Sequence, residues 1–132
     1  MIVAMDSNLL DEWLEELRRR RWTHHYFPDR QAPKVHASFF VWGSGIVDVI
    51  AIFDAGTALA YRAPLPQGGD PFDPLRVTWA FAGEPVWAIR GVLALPEPGG
   101  HGEPVFVQTP PPLCAGLAEL AGQNRVIRPP TN

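Results

Sequence analysis

Two neighbouring runs of almost continuous apolar residues dominate the pattern of the chain. They cover residues 35–42 and 46–54, with a Gly-Ser-Gly loop at 43–45 between them. Short apolar runs that are rich in β-branched and aromatic residues are typical of buried strands, and a short glycine loop between two of them is typical of a hairpin. Both faces of this predicted hairpin are apolar. Each face must therefore be covered, by other parts of the chain, by a second copy or by a ligand.

The stretch before the hairpin has the period of an amphipathic helix. It is predicted to begin near Ser7 or Asn8, either of which can cap it, and its apolar residues recur at helical spacing over 9–17. Acidic residues fill the first half of the polar face and arginines occupy 18–21, an order that matches the helix dipole. The spacing predicts two i,i+4 ion pairs, Glu15–Arg19 and Glu16–Arg20.

Further strands are predicted after the hairpin. Alternation of apolar and polar residues predicts strands at 58–63 and 75–81, and a tight turn before residue 86 favours a strand over a helix at 86–95. A short last strand is predicted at 105–108 and a short helix at 113–121. No connection leaves room for a crossover helix, which favours an antiparallel sheet.

These elements predict an α+β protein, in which an N-terminal amphipathic helix packs on a curved antiparallel sheet of five or six meander strands, followed by a short C-terminal helix. A chain of 132 residues is expected to form one domain over 1–132, with frayed ends at 1–6 and 128–132. The N-terminal helix can cover only one face of the sheet. The pattern shows no other long amphipathic helix for the second face.

Charge and cysteine content narrow the class of protein. The formal net charge of −3 argues against binding to nucleic acid or to an anionic membrane surface. No apolar run approaches the roughly 18 residues that span a bilayer, and the N-terminus lacks the features of a secretory signal. Cys114 is the single cysteine, so no intramolecular disulfide can form, and a cytoplasmic location is expected.

Histidines supply the one pattern that suggests a metal. His24 and His25 are followed by Asp29 and His36, and Cys114 lies much further along the chain. Zinc prefers these ligand types, but the spacing matches no zinc motif. Adjacent residues of an extended chain point to opposite faces, so only one of the paired histidines could join His36. The favoured interpretation is surface histidines without a metal, and no motif implies a cofactor.

Asp48 interrupts the second apolar run. A buried carboxylate must be paired, and Arg62, Arg76 and Arg90 lie on later predicted strands. The favoured interpretation places Asp48 near a strand end or on a solvated face, where it neutralises a cross-strand arginine. The alternative is a ligand pocket in the concave face of the sheet, lined by Asp48, Arg62, His36 and Trp79.

Aromatic residues on the predicted strands favour a protein interface over catalysis. Phe40, Trp42 and Trp87 are the expected interface residues, because aromatic side chains are enriched at binding hot spots. Neither Ser44 nor Cys114 stands in the sequence context of a nucleophile. We therefore expect a non-catalytic interaction module of the adaptor, chaperone or immunity type that binds a protein partner or forms a homodimer through an aromatic sheet face. The alternative is a small-molecule-binding or small enzymatic domain.

Overall fold

The computed structural model describes residues 2–27 and 34–127, with the side chains of 9–27 and 34–122. In this part of the chain the order of elements is α1 (Ile2–Arg19), β1 (Thr23–Phe27), β2 (Val35–Trp42), β3 (Ile46–Asp54), β4 (Thr57–Pro64), β5 (Trp79–Gly83), α2 (Pro85–Leu93) and α3 (Leu113–Ile127). The five strands form one open antiparallel sheet in sequence order, so β1 and β5 are its edges. The predicted α+β class, with a helix at each end of an antiparallel meander, is confirmed.

The N-terminal helix is longer than predicted. It begins at Ile2 rather than near Ser7 or Asn8. The expected fraying of the two ends stays a prediction, and residues 1 and 128–132 lie outside those described. Residues 2–19 contain neither glycine nor proline, and therefore no strong helix breaker. Of the predicted ion pairs, Glu16–Arg20 forms at 2.8 Å, whereas Arg19 bonds to Glu16 rather than to Glu15.

A Schellman turn ends α1. The Trp22 N–H donates to the Leu17 carbonyl at 3.1 Å, and the Arg21 N–H donates to the Arg18 carbonyl at 3.0 Å. Arg21 has a φ of 66°, the left-handed conformation that this turn requires. Trp22 and Leu17 are both buried in the same cluster. The turn therefore directs the chain from α1 into β1 while it stays packed against the core.

The predicted strand at 86–95 is wrong, because these residues form α2. Glu84 has the extended conformation of a helix cap, with φ −68° and ψ 144°, and Pro85 lies in the first turn, where its fixed φ suits a helix. The tight turn that favoured a strand is thus the start of a helix. The buried residues of this segment follow the helical period and are Pro85, Ala88, Ile89 and Val92.

The strand predicted at 75–81 is displaced to Trp79–Gly83, and Leu75 is 86% exposed. The Thr78 N–H donates to the Arg62 carbonyl at 2.8 Å, while Trp79 is the register partner of Arg62. Two successive residues therefore lie opposite Arg62, which is the arrangement of a β-bulge. The bulge reverses the alternation, so that Val77 and Trp79 pack on opposite faces of the sheet.

The last predicted strand, 105–108, is reduced to a single bridge between Val77 and Gln108. The two residues exchange both backbone hydrogen bonds, at 3.0 and 2.7 Å. Val105, Phe106 and Val107 precede this bridge and are 63%, 85% and 54% exposed. The ladder thus stops after one pair, and an apolar segment remains in solvent.

Both faces of the sheet are covered within the chain. The C-terminal helix and the loop after β4 cover one face, and α1 and α2 cover the other. The helix at 85–93 supplies the additional cover that a strand there could not. The first face is packed by Phe72, Cys114, Leu117 and Ala121, and the second by Leu17, Trp22, Ala88, Ile89 and Val92. No helix of the described residues is long and apolar enough to cross a membrane.

Candidate functional site

Asp48 and Arg62 form a buried ion pair on the central strands β3 and β4. Asp48 is the register partner of Arg62, and their side chains are 3% and 1% exposed. Two parallel hydrogen bonds join them, from Nε to Oδ1 at 2.6 Å and from Nη2 to Oδ2 at 2.9 Å. This ion pair agrees with the sequence-based expectation that Asp48 neutralises a cross-strand arginine. The solvated position expected for Asp48 is wrong, because the helical layer over β3 and β4 excludes water there.

Further hydrogen bonds join this pair to β2 and to the loop after α2. The Trp42 indole N–H donates to Asp48 Oδ2 at 3.0 Å, and Arg62 Nη1 donates to the Pro96 carbonyl at 2.5 Å. The guanidinium carbon of Arg62 lies 5.7 Å from the centre of a Trp42 ring. Each guanidinium nitrogen and both carboxylate oxygens thus have a hydrogen-bond partner within the chain, and the network ties the strands to the loop at Pro96.

Of the four predicted ligand residues, the structure brings three together and separates the fourth. Trp79 is the register partner of Arg62 on the neighbouring strand and therefore adjoins the ion pair. His36 is the register partner of Ile52, which lies four residues along β3 from Asp48. At about 3.3 Å per residue this is roughly 13 Å. His36 thus belongs to a different part of the same sheet face.

His36 lies in a small polar cluster between β1 and β2. His24 Nδ1 and His36 Nε2 are 3.0 Å apart, and Ser38 Oγ lies 2.7 Å from His24 Nδ1. The Tyr26 ring stacks on His36 with ring centres 4.7 Å apart. Burial is the main cause that lowers the pKa of both histidines, to about 4 for His36, with the positive charge of Arg18 acting in the same direction. Both rings are therefore neutral at pH 7.

The histidine cluster does not assemble the metal site that the sequence raised. His24 converges with His36 as the pattern allowed, but His25 points to the opposite face, where its ring contacts Phe27, Phe39 and Phe72. Cys114 also packs on that opposite face, and Asp29 lies outside the described residues. Within 2–27 and 34–127, no group of three or more His, Cys, Asp or Glu side chains is placed to hold a metal ion.

Two of the three predicted interface residues are largely used within the fold. Phe40 packs against Trp22 and Trp42, with ring centres 6.1 and 5.0 Å apart, and it lines the cluster under α1 and α2. Trp42 donates its indole N–H to the buried Asp48. Trp87 is different, since it is 56% exposed on the surface of α2. The aromatic sheet face is therefore covered in the structure, and the exposed aromatic surface lies at the edge of the sheet.

The exposed surface around Trp87 is a cleft of about 400 Å³ between α2 and β5. Phe81 forms its sheet side and is 37% exposed. The guanidinium carbon of Arg90 lies 4.8 Å from the centre of a Trp87 ring, within the range of a cation–π contact. A Cβ at Gly91 would lie 3.0 Å from Trp79, so glycine is what allows the helix to approach β5 so closely. The cleft is lined by Phe81, Trp87, Arg90, Gly91 and Ala94.

The cleft borders the free edge of β5. This strand pairs with β4 on one side, and none of the described strands pairs with it on the other. Phe81 and Ala82 are exposed along this edge. The exposed segment Val105–Val107 directly precedes Gln108, whose bridge partner Val77 lies two residues before β5.

Sequence reasoning missed this cleft because it assigned 86–95 to a strand. In a strand, Trp87 and Arg90 point to opposite faces, whereas in a helix they are three residues apart on one face. Gly91 and Ala94 continue the same helical stripe. The signal was present in the Glu-Pro pair at 84–85, which is a common start of a helix. Comparison with protein-family models, with curated proteins and with solved structures finds no match to this chain.

Proposed function

We propose that this protein is a protein-interaction module that binds an extended strand of its partner along the free edge of β5. The observation that carries the proposal is the position of β5, which is paired on one side only and borders the cleft at Trp87. An edge strand presents unpaired backbone N–H and C=O groups, and a partner strand that pairs with them gains a row of main-chain hydrogen bonds.

The sequence of β5 supports this proposal. Its five residues, Trp-Ala-Phe-Ala-Gly, include no charge and no proline. Charged residues, prolines and long covering loops are the usual devices that keep an edge strand from pairing with other chains. Phe81 and Trp87 instead present exposed aromatic surface beside the edge, and aromatic residues of this kind contribute most of the binding energy in many protein interfaces.

Arg90 defines the chemistry of the partner. It is exposed in the cleft, and no carboxylate of the described residues lies within 4.0 Å of it, since the ion pairs there involve Arg18, Arg19, Arg20 and Arg62. A guanidinium at the border of an apolar cleft suits a carboxylate next to a large apolar side chain. The partner strand would thus carry an apolar residue and an acidic residue two positions apart, on one face.

A labelled peptide tests the proposal. The probe is Ac-Thr-Val-Thr-Phe-Thr-Glu-Thr-NH2, whose Phe and Glu lie on the same face of an extended chain. We expect the protein to bind it in fluorescence anisotropy, and we expect Phe81→Lys and Arg90→Glu each to weaken binding roughly tenfold, which corresponds to about 1.4 kcal/mol. The proposal fails if the peptide does not bind, or if neither variant changes its affinity.

Charge reversal provides the matched control. A peptide with its glutamate replaced by lysine should bind Arg90→Glu better than it binds the original protein, because the swapped charges attract again. Lys34→Glu reverses one exposed charge at the start of β2, away from β5, and should leave the affinity for the original peptide unchanged. Equal effects of Lys34→Glu and Arg90→Glu would mean that the affinity for the peptide depends only on the net charge of the protein and not on the position of Arg90.

We also propose self-association at the same edge. Two β5 strands related by a two-fold axis can pair antiparallel, and such a contact closes as a dimer, whereas pairing of β5 with the other edge strand, β1, would extend without limit. Light scattering at tens of micromolar would detect the dimer, and Phe81→Lys should convert it to monomer by placing two like charges at the axis. The single cysteine is the ground on which we propose a cytoplasmic location for this module.

A small planar anion is the second candidate occupant of the cleft. A volume of about 400 Å³ lies within the usual range for ligand sites, and Trp87 with Arg90 offers both a stacking surface and a charge. A ligand that binds the native state raises the melting temperature. A thermal-shift screen of aromatic carboxylates would support this candidate if an increase is lost in Trp87→Ala.

A further inference from the structure

We infer that the segment Val105–Val107 is a strap that closes on the free edge of β5 as a sixth strand, so that a partner strand must displace it. This inference rests on the proposed function only for the competition with a partner. The strap itself is argued from the bridge between Val77 and Gln108, which has already set the direction of the sixth strand with two backbone hydrogen bonds.

The register of the closed strap follows from the bridge and the bulge. Residues before Gln108 run antiparallel to residues after Val77. Thr78 and Trp79 both lie opposite Arg62, so the bulge adds one residue between Val77 and β5. The register of the strap against β5 is therefore shifted by one residue. Continuing the ladder then places Val107, Phe106 and Val105 opposite Trp79, Ala80 and Phe81.

The side-chain faces agree with this register. Directly opposed residues of an antiparallel pair share a face. Val105 would join Phe81 on the side of the cleft, and Phe106 would join Ala80, which packs on the opposite face against the cluster under α3. Val105, Phe106 and Val107 are 63%, 85% and 54% exposed in the open position, so closure removes a large apolar surface from water.

The preceding loop explains how the open position is held. Glu103 accepts a hydrogen bond from the Gly99 N–H at 2.7 Å, and Gly99 and Gly102 have φ values of 88° and 85° that favour glycine. Pro104 follows and has no N–H to donate to a ladder. The strap is thus tethered at Gln108 at one end and joined at the other end to a turn with two glycine pivots.

A pair of engineered cysteines tests the strap without any partner. Ala80→Cys with Phe106→Cys places the two cysteines opposite each other in the closed register, at a separation that a disulfide can span. The matched control is Ala82→Cys with Phe106→Cys, which is out of register by two residues, or about 7 Å. Cys114, the second residue of α3, is buried and is therefore expected to stay outside the reaction.

The expected result is a disulfide within the monomer that forms at least roughly tenfold faster in the Ala80–Phe106 pair than in the control pair. Equal rates in the two pairs, or no disulfide in either, would overturn the inference. A disulfide between two molecules would also overturn it, since the segment would then be exchanged between copies. Non-reducing electrophoresis and mass spectrometry separate these outcomes.

The competition with a partner is tested on the same oxidised protein. The probe peptide should lose its binding when the strap is locked and should regain it after reduction with dithiothreitol. If the locked protein binds the peptide as well as the reduced protein does, the strap does not occupy the binding edge and the competition is refuted. If the peptide never binds, the proposed function fails, while the disulfide rates still decide whether the strap closes.

Discussion

Arg62 holds Asp48 through two parallel hydrogen bonds, at 2.6 and 2.9 Å, in the centre of the sheet. Trp42 and the Pro96 carbonyl complete the network around them. Such a pair costs desolvation energy when it forms, and removing one partner leaves a buried charge without compensation. The ion pair therefore specifies the register of β3 and β4 and ties the loop after α2 to the sheet.

Removing either charge alone should strongly destabilise the protein. We expect Asp48→Ala and Arg62→Ala each to lower the free energy of unfolding by about 3–5 kcal/mol, measured by urea denaturation. The double variant Asp48→Leu with Arg62→Met replaces the pair with apolar groups and should lose less than either single variant. If the double variant lost the sum of the two single losses, the charges would not act as a pair.

The stability of the protein should fall as the pH is lowered from about 6.5 to about 4. The folded pKa of His36 is lowered to about 4 by burial, whereas an unfolded histidine titrates near 6.5. Between these values the unfolded state binds more protons, so acid favours unfolding, and the loss is complete below the folded pKa. Because the ring is partly exposed, we expect a loss of about 1–2 kcal/mol from His36, less than for a fully buried group.

Unfolding in urea at several pH values measures this loss. His36→Phe should flatten the dependence of stability on pH in that window, and the part that remains should come in the same direction from His24, whose pKa burial also lowers. The matched control is His101→Gln, a histidine exposed in the loop after α2. An equal change of slope in both variants would show that the cluster at β1 and β2 is not the source.

Strong periodicity predicted the main elements, but the burial of the ion pair could not be predicted from the sequence alone. The hairpin at 35–54 and the helix before it follow from strong periodicity, and they formed where the pattern placed them apart from the early start at Ile2. A cross-strand arginine partner for Asp48 was also predicted, with Arg62, Arg76 and Arg90 as the candidates, and the structure shows that it is Arg62. The burial of this pair was not predicted, because burial depends on α2, a helix that the sequence pattern presented as a strand.

The cover of the second sheet face shows the same limit. The sequence posed the question of what lies there, and the answer combines a short helix with a single side chain from an irregular loop, Phe72. The pattern predicted the C-terminal helix at 113–121 but not which face of the sheet it covers, and the loop residue carries no local signal of burial. Only tertiary packing decides such contacts, which is why local patterns located the problem and not its solution.

Phe72 is expected to act as an anchor of the loop after β4. It is 4% exposed and makes edge contacts with His25, Phe27 and Phe39. Nearby, the Tyr61 hydroxyl donates to the Pro71 carbonyl at 2.5 Å. Phe72→Ala should lower the free energy of unfolding by about 3–5 kcal/mol, because it leaves a cavity in the core.

The control for Phe72 lies in the same loop. Leu75 is 86% exposed, and Leu75→Ala should change the stability by no more than about 0.5 kcal/mol. Both variants remove an apolar side chain from an irregular segment, so the comparison isolates burial. Similar losses in the two variants would contradict the packing of Phe72 against the sheet.

Cys114 tests whether α3 covers its face of the sheet in solution. Burial raises the pKa of its thiol to about 11, and the side chain is 4% exposed. Thiol reagents attack the thiolate, and a pKa about two units above the usual value makes the thiolate roughly 100-fold rarer near neutral pH. We expect the native protein to react with Ellman's reagent at least 100-fold more slowly than the urea-unfolded chain does.

An added cysteine calibrates this reaction. Ser44 is exposed in the hairpin loop, so the variant Ser44→Cys should show one fast and one slow thiol in the same molecule. The slow phase should accelerate with urea as the protein unfolds, while the fast phase should change little. If both thiols of the native variant reacted quickly, α3 would be detached from the sheet, and the apolar face of β3 that it covers would be open to solvent or to a partner.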